Sequence, residues 1–236
     1  MRPLLIALLL CITPPAFAGG TETAVFSITA AGIPFGDMSL TYTETGNFYA
    51  FTVAAQARGL LGFLTQSRYQ GQSNGTITAQ STRQPDNFHA RSQRIFKDRI
   101  TTIRFENGIP VSVDLTPLKD QSPLTDPDHV KDKRLDSLTY LSLIFHNPDR
   151  SCPPDGKLYD GRRLTEIAFM AQPQTDDLLR CTGTYTITDG PDHSIVSGRR
   201  SFGLSLVYQS SETRLLLQSA VFTAGTSTLN LSRKAP

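Results

Sequence analysis

The sequence predicts a mainly β protein: an antiparallel curved or barrel-like sheet in a single domain, with one short helix. Three observations carry that expectation. Apolar residues recur with a period of two along most of the chain, as half-buried strands require. Turn residues separate these runs at short intervals, so successive strands form hairpins and do not alternate with helices. One stretch alone, near the middle, carries the three-to-four spacing of a helix.

The chain opens on Met1-Arg2, a positive end, followed by the apolar run Leu4 to Ile12 and by Ala16-Phe17-Ala18, a small-x-small pattern before Gly19-Gly20. This predicts a secretory signal over residues 1–18, cleavage after Ala18, and one β-rich domain over residues 19–236. The apolar run is about half of the ~20 residues a membrane span needs, and Pro14-Pro15 breaks it. Cys11 follows Leu10, where lipoprotein processing requires a small residue, so ordinary cleavage is expected. No transmembrane span is expected in the mature chain, and its expected location is the bacterial periplasm or the secreted fraction.

Strand expectations follow in order. Val25 to Ala30 is one run, and Met38, Leu40 and Tyr42 alternate with Ser39, Thr41 and Thr43 in the next. Thr45-Gly46-Asn47 reads as a turn into Tyr49, Phe51 and Val53. Asn74-Gly75 and Asn107-Gly108 are the strongest hairpin signals, since both central residues of a type I′ turn need positive φ. Strands are therefore expected over Ser67 to Ser73, Thr76 to Thr82, Arg91 to Lys97 and Ile100 to Phe105. Leu118 to Lys133, rich in Pro and Asp, reads as an exposed connection. Asp136 then supplies an N-cap, and Leu138, Leu141 and Phe145 share one helical face, which predicts a helix that ends before Pro148 and packs on the sheet. Further strands are expected at Leu164 to Met170, Thr182 to Thr188, Phe202 to Gln209, Arg214 to Phe222 and Ser227 to Leu231.

Cleavage would leave two cysteines, Cys152 and Cys181. In an oxidising compartment these predict one disulfide. Lys plus Arg number 23 against 21 Asp plus Glu, so no global field collects nucleic acid or anionic lipid, and no nucleic-acid partner is expected.

Several local patterns resemble one family. They are Gly32-Ile33-Pro34-Phe35-Gly36, Ala57-Arg58-Gly59-Leu60-Leu61-Gly62-Phe63-Leu64 and Pro85-Asp86-Asn87-Phe88 in the first half. In the second half they are Asp136-Ser137-Leu138-Thr139, Cys152, Tyr159-Asp160-Gly161-Arg162-Arg163 and Arg180-Cys181-Thr182-Gly183-Thr184-Tyr185. In this order the chain resembles the exported bacterial domain-of-unknown-function family numbered three-one-zero-eight. One departure is Ser137, where that family usually has proline. The resemblance implies a mostly antiparallel sheet in a bacterial envelope and supplies no catalytic residues.

No catalytic set can be assembled. There is no Gly-x-Ser-x-Gly elbow, and His89, His129, His146 and His193 are far apart in sequence. Asp126, Asp128 and His129 lack the spacing of a calcium loop, so no metal site and no cofactor is expected. Asp160-Gly161-Arg162-Arg163 offers an anion clamp, set against a plain hairpin turn whose two arginines point apart. Arg91, Arg94, Lys97, Arg99 and Arg104 make a basic hairpin expected to be solvated or envelope-facing. Leu60-Leu61-Gly62-Phe63-Leu64 is either core or the mouth of a cavity at one end of the sheet. The candidate ligand-binding residues are thus Leu60, Leu61, Phe63, Leu64, Arg162 and Arg163. The functional expectation is a non-enzymatic periplasmic domain for an apolar small molecule, such as a lipid or acyl chain, or for an envelope protein partner. The alternative is a structural or accessory envelope protein without a ligand cavity, with an enzyme third.

Overall fold

In the computed structural model of the chain, the described residues are 19–59, 62, 65–79, 82–118, 125–147, 149–173, 177–192, 198–211 and 214–235. The expected signal and the cleavage point after Ala18 lie outside them.

Seven strands come first: β1 (Thr21–Ala30), β2 (Ile33–Thr45), β3 (Phe48–Ala57), β4 (Arg68–Ile77), β5 (Arg83–Arg94), β6 (Lys97–Glu106) and β7 (Ile109–Thr116). A 3₁₀ turn (Pro127–His129) and a helix, α1 (Ser137–Phe145), follow. The second half contains β8 (His146–Asn147), β9 (Gly156–Tyr159), β10 (Leu164–Ala171), β11 (Leu178–Asp189), β12 (Ser201–Ser210), β13 (Leu215–Ala224) and β14 (Ser227–Arg233). Among the described residues these form one antiparallel sheet in the order β7-β6-β5-β4-β3-β2-β1-β14-β13-β12-β11-β10-β9, with β8 on β13. Two hairpin meanders are therefore joined where β1 pairs β14, Phe26 opposite Arg233 and Ala30 opposite Leu229. Alternation explains the core: on β1, Ala24, Phe26 and Ile28 are buried while Thr23, Val25 and Ser27 face out.

The sheet curls into a nearly closed barrel, with β7 and β9 at the seam. The segment between them closes it. Arg134 N–H donates to Gly108 O (2.8 Å), Leu135 N–H to Lys157 O (2.9 Å), and Tyr159 N–H to Leu135 O (2.8 Å). Gly161, at φ +81°, sits in the β9–β10 turn so close to β6 and β7 that a Cβ there would lie 2.8 Å from Val113 Cγ2. The disulfide between Cys152 and Cys181, Cα atoms 5.7 Å apart, fastens the segment after α1 to β11, as the two cysteines predict.

α1 begins where Asp136 caps it and lies inside one end of the barrel. Its bed is Gly71 on β4, where a Cβ would meet Leu138 Cδ1 at 2.8 Å. Leu138, Tyr140, Ile144 and Phe145 are buried among Phe26, Phe51, Leu158 and Tyr208. Thr139 and Ser142 are buried as well, so the expectation of a single packed face gives way to a helix enclosed on most sides.

Other sequence expectations change. Asn74-Gly75 is not a turn: neither residue has positive φ, and both lie within β4, where a register shift against β5 absorbs them. Pairing with β3 on one side and β5 on the other keeps the strand extended, and the turn falls after Ile77. Asn107-Gly108 is a turn, with φ of 55° and 79°, and it leads into β7, which the sequence reading omits together with β8 and β9. The turn between β5 and β6 falls at Ile95-Phe96, inside the expected strand Arg91 to Lys97. In the expected exposed connection, Thr125 and Val130 are buried, and Tyr159 Oη donates to Thr125 O at 2.6 Å.

Candidate functional site

Strand directions give the barrel two different ends. At one end, the starts of β3, β5 and β13 meet α1. At the other lie the β1–β2, β3–β4, β5–β6 and β13–β14 turns. On the inward face next to α1, Phe26, Leu40, Phe51, Ile103 and Tyr208 are fully buried. Away from the helix the same face is less completely buried. One transverse row runs in direct register from Phe169 (β10) through Gly183, Leu204, Phe222 and Leu229 to Ala30 on β1. Each of these positions sits two residues along its strand from a residue that is in the core or packed against it, so the row faces inward. Yet none is fully buried, and Leu229 is 37% exposed. Met38, Ala220 and Leu231 beside it are likewise only partly buried. Tyr185, Phe202 and Phe222 border the row as an aromatic cluster, with the Phe202 and Phe222 rings stacked 5.0 Å apart. Chemically the row is an apolar strip that offers dispersion contacts and no charge.

The expected mouth, Leu60, Leu61, Phe63 and Leu64, lies outside the described residues. The described residues on either side of them lie at this end. Gly62 N–H donates to Arg58 O (3.0 Å), Gln66 N–H to Gly62 O (2.9 Å), and Ile95 N–H to Thr65 O (3.1 Å). The sequence misses Phe169, Leu204, Phe222 and Leu229 as a group. Their alternation marks them as inward-facing, but nothing local says how far the helix reaches over them.

Arg162 and Arg163 sit in the β9–β10 turn, both buried. Asp160 organises that turn, its Oδ1 accepting from Arg162 N–H (2.9 Å) and Arg163 N–H (2.6 Å). The Arg163 guanidinium donates to Asp160 Oδ2 (3.0 Å), Pro191 O (2.8 Å) and Asp192 O (3.2 Å). Arg163 thus fastens this turn to the end of β11. Of the histidines, His89 bonds Thr102 on the outer face (3.0 Å), His129 lies in the 3₁₀ turn, and His193 is outside the described residues.

At the helix end, charge is handled inside the protein. Asp136 Oδ1 accepts from Leu138 and Thr139 N–H (2.8 and 2.9 Å), and Oδ2 from Thr139 Oγ1 (2.5 Å) and Ser73 Oγ (2.8 Å). Burial pushes this carboxyl upward, and the four donated bonds pull against that shift. Glu22, also buried, takes Arg214 (2.7 Å), Arg233 (3.6 Å) and His146 (3.1 Å). Arg83 donates to Ser142 Oγ (2.9 Å) and His146 O (3.1 Å), with its guanidinium 4.4 Å from the Tyr42 ring centre. Beside this network lies a cleft of about 570 Å³, lined by Arg83, Lys133, Arg134, His146, Asp149 and Lys157 and also by the apolar Pro85, Leu135, Leu143 and Pro154. Among the described residues it brings together no nucleophile paired with a base.

No protein-family model, no curated protein and no solved structure matches this chain.

Proposed function

We propose that this is a non-enzymatic binding domain for an apolar ligand of the acyl-chain class, held on the inward row from Phe169 to Ala30. The observation that carries the reading is the row itself: contiguous apolar side chains on the inward face of the sheet, only partly buried where they pack against the core that α1 completes. A monomeric protein gains about 25 cal/mol per Å² by covering such surface, and here the chain's own helix does not cover it. The alternative, an accessory interaction protein with a solid interior, is favoured by α1, which fills the other half with core. Export to the periplasm is part of the proposal. Its supports are the leader pattern of residues 1–18 and the Cys152–Cys181 disulfide, a bond that persists in oxidising compartments.

The test is titration of a fluorescent fatty acid into the wild type and Leu204→Glu. Leu204 is only partly buried, so a carboxylate there should keep contact with water and leave the fold intact while abolishing probe binding. Leu206→Glu, at a position 3% exposed, should instead unfold the protein. Absence of saturable binding by the wild type would reject the carrier reading and leave the accessory role.

A further inference from the structure

Three turns at the open end form one rim. Arg58 N–H donates to Phe35 O (2.8 Å), tying the β3–β4 connection to β2, and Ile95 N–H donates to Thr65 O (3.1 Å), tying it to the β5–β6 turn. Large apolar side chains stand in water on this rim: Phe96 is 104% exposed, Ile33 58% and Ile95 37%. Phe96 has φ +60°, a conformation that bulky residues rarely adopt, and the turn so formed carries its ring clear of the sheet. Arg94 and Lys97 bracket the Ile95-Phe96 pair, both exposed, and among the described residues neither has a carboxylate partner. Asp98, the nearest acid in sequence, is engaged by Arg91 through a forked pair at 2.5 to 3.2 Å.

An aromatic tip between two free cations suits a boundary that is apolar inside and anionic outside. A lipid bilayer with acidic headgroups is such a boundary, with the ring at the acyl edge and the cations among the headgroups. Ile33 and the Ile95-Phe96 pair stand exposed on separate turns at this end, so a flat surface can take both, whereas a folded partner would need a matching relief. We propose that this rim docks the domain on an anionic bilayer, Phe96 inserting at the interface with Arg94 and Lys97 against the headgroups. The inference deepens the acyl-ligand reading and rests on it in one respect: docking at this end turns the apolar row toward the membrane that would supply its ligand.

Co-sedimentation of protein harvested after export, with vesicles of phosphatidylcholine alone or mixed with phosphatidylglycerol, tests it. The wild type should bind the mixed vesicles and release as salt rises. Phe96→Ala should weaken partitioning about tenfold, the loss expected from one fully exposed phenyl group no longer buried. Arg94→Gln with Lys97→Gln should weaken it by about thirtyfold on mixed vesicles and leave phosphatidylcholine vesicles unaffected. Melting temperatures should not move, because all three side chains are exposed. Equal binding by wild type and variants, or no binding to mixed vesicles at low salt, overturns the proposal. A Phe96-dependent dimer without vesicle binding would also overturn it and assign the rim to a second copy of this chain. Fatty-acid titration without vesicles separates the two ideas: Phe96→Ala should bind the probe normally, so docking can fail while the ligand reading stands, and the reverse.

Discussion

Replacing Asp136 by alanine removes the acceptor around which one end of α1 is organised. Two backbone N–H groups lose their cap, a loss of about 1 kcal/mol. The Ser73 and Thr139 hydroxyls lose a shared acceptor in a site that is 0% exposed at Asp136. Each buried group left without a partner costs about 1–3 kcal/mol, although Ser73 and Thr139 can still bond each other at 2.9 Å. The sum is about 3–5 kcal/mol, and for a domain of this size that lowers the melting temperature by about 10 °C. Asp136→Asn keeps the Oδ1 acceptor and lets both hydroxyls rotate to accept, so its cost should stay near 1 kcal/mol. A pH signature accompanies this. The folded carboxyl binds its proton more tightly than the unfolded one, because burial raises it. Its contribution is therefore fully present below the ordinary aspartate value, about 4, and is lost as pH rises through the folded value. Wild type should lose ground to Asp136→Asn over that rise. Urea unfolding followed by near-ultraviolet circular dichroism, repeated across pH, measures all three terms. An alanine variant within 1 kcal/mol of wild type, or an asparagine variant as damaged as alanine, would refute the reasoning.

Three further outcomes are expected. Thiol counting of the denatured, unreduced protein should find no free thiol, and Cys152→Ser with Cys181→Ser should cost about 3–4 kcal/mol by release of the intervening loop; two free thiols would contradict the bridge. Gly161→Ala should cost about 1–3 kcal/mol and speed amide exchange on β7 and β9, since it pushes the turn off Val113 at φ +81°; unchanged exchange would show that the seam does not depend on this contact. All seven tyrosines are held above the usual phenol value, chiefly by burial, with Tyr185 pushed up to about 12. Folded protein should therefore show little tyrosinate absorbance near pH 10, and its stability should fall as pH rises above that, because only the unfolded chain ionises there; ordinary titration of the folded protein would contradict the burial.

Much of the fold was legible because alternation is a direct readout of a half-buried strand. β1, β2, β3, β10, β11, β12 and β14 cover the runs that period-two pattern picks out, β13 covers its run from Leu215 onward, and Asp136 marks the helix start by its own chemistry. What failed did so where tertiary pairing outweighed a local preference. Asn74-Gly75 has ideal turn residues, yet two neighbouring strands hold it extended. Ile95-Phe96 has the residues of a strand, yet it makes the turn, and its apolar side chains face water. β9 is a four-residue strand, too short to show a period. The candidate site was legible only in part. Leu204 and Phe222 were assigned to strands, but their meeting with Phe169 and Leu229 across three other pairings depends on register, which a single strand does not encode. Arg162-Arg163 was visible as a cluster, and what Arg163 bonds, the carbonyls of Pro191 and Asp192, lies far along the chain.

The central claim is that the inward row from Phe169 to Ala30 holds an acyl chain. Mass spectrometry of organic extracts from natively exported protein tests it most directly, with Leu204→Glu prepared in parallel. The account predicts an acyl-chain compound in near-stoichiometric amount with the wild type and its loss from a variant that melts at the same temperature. A wild type that carries no apolar compound, and still binds no fatty acid when one is supplied, would contradict it.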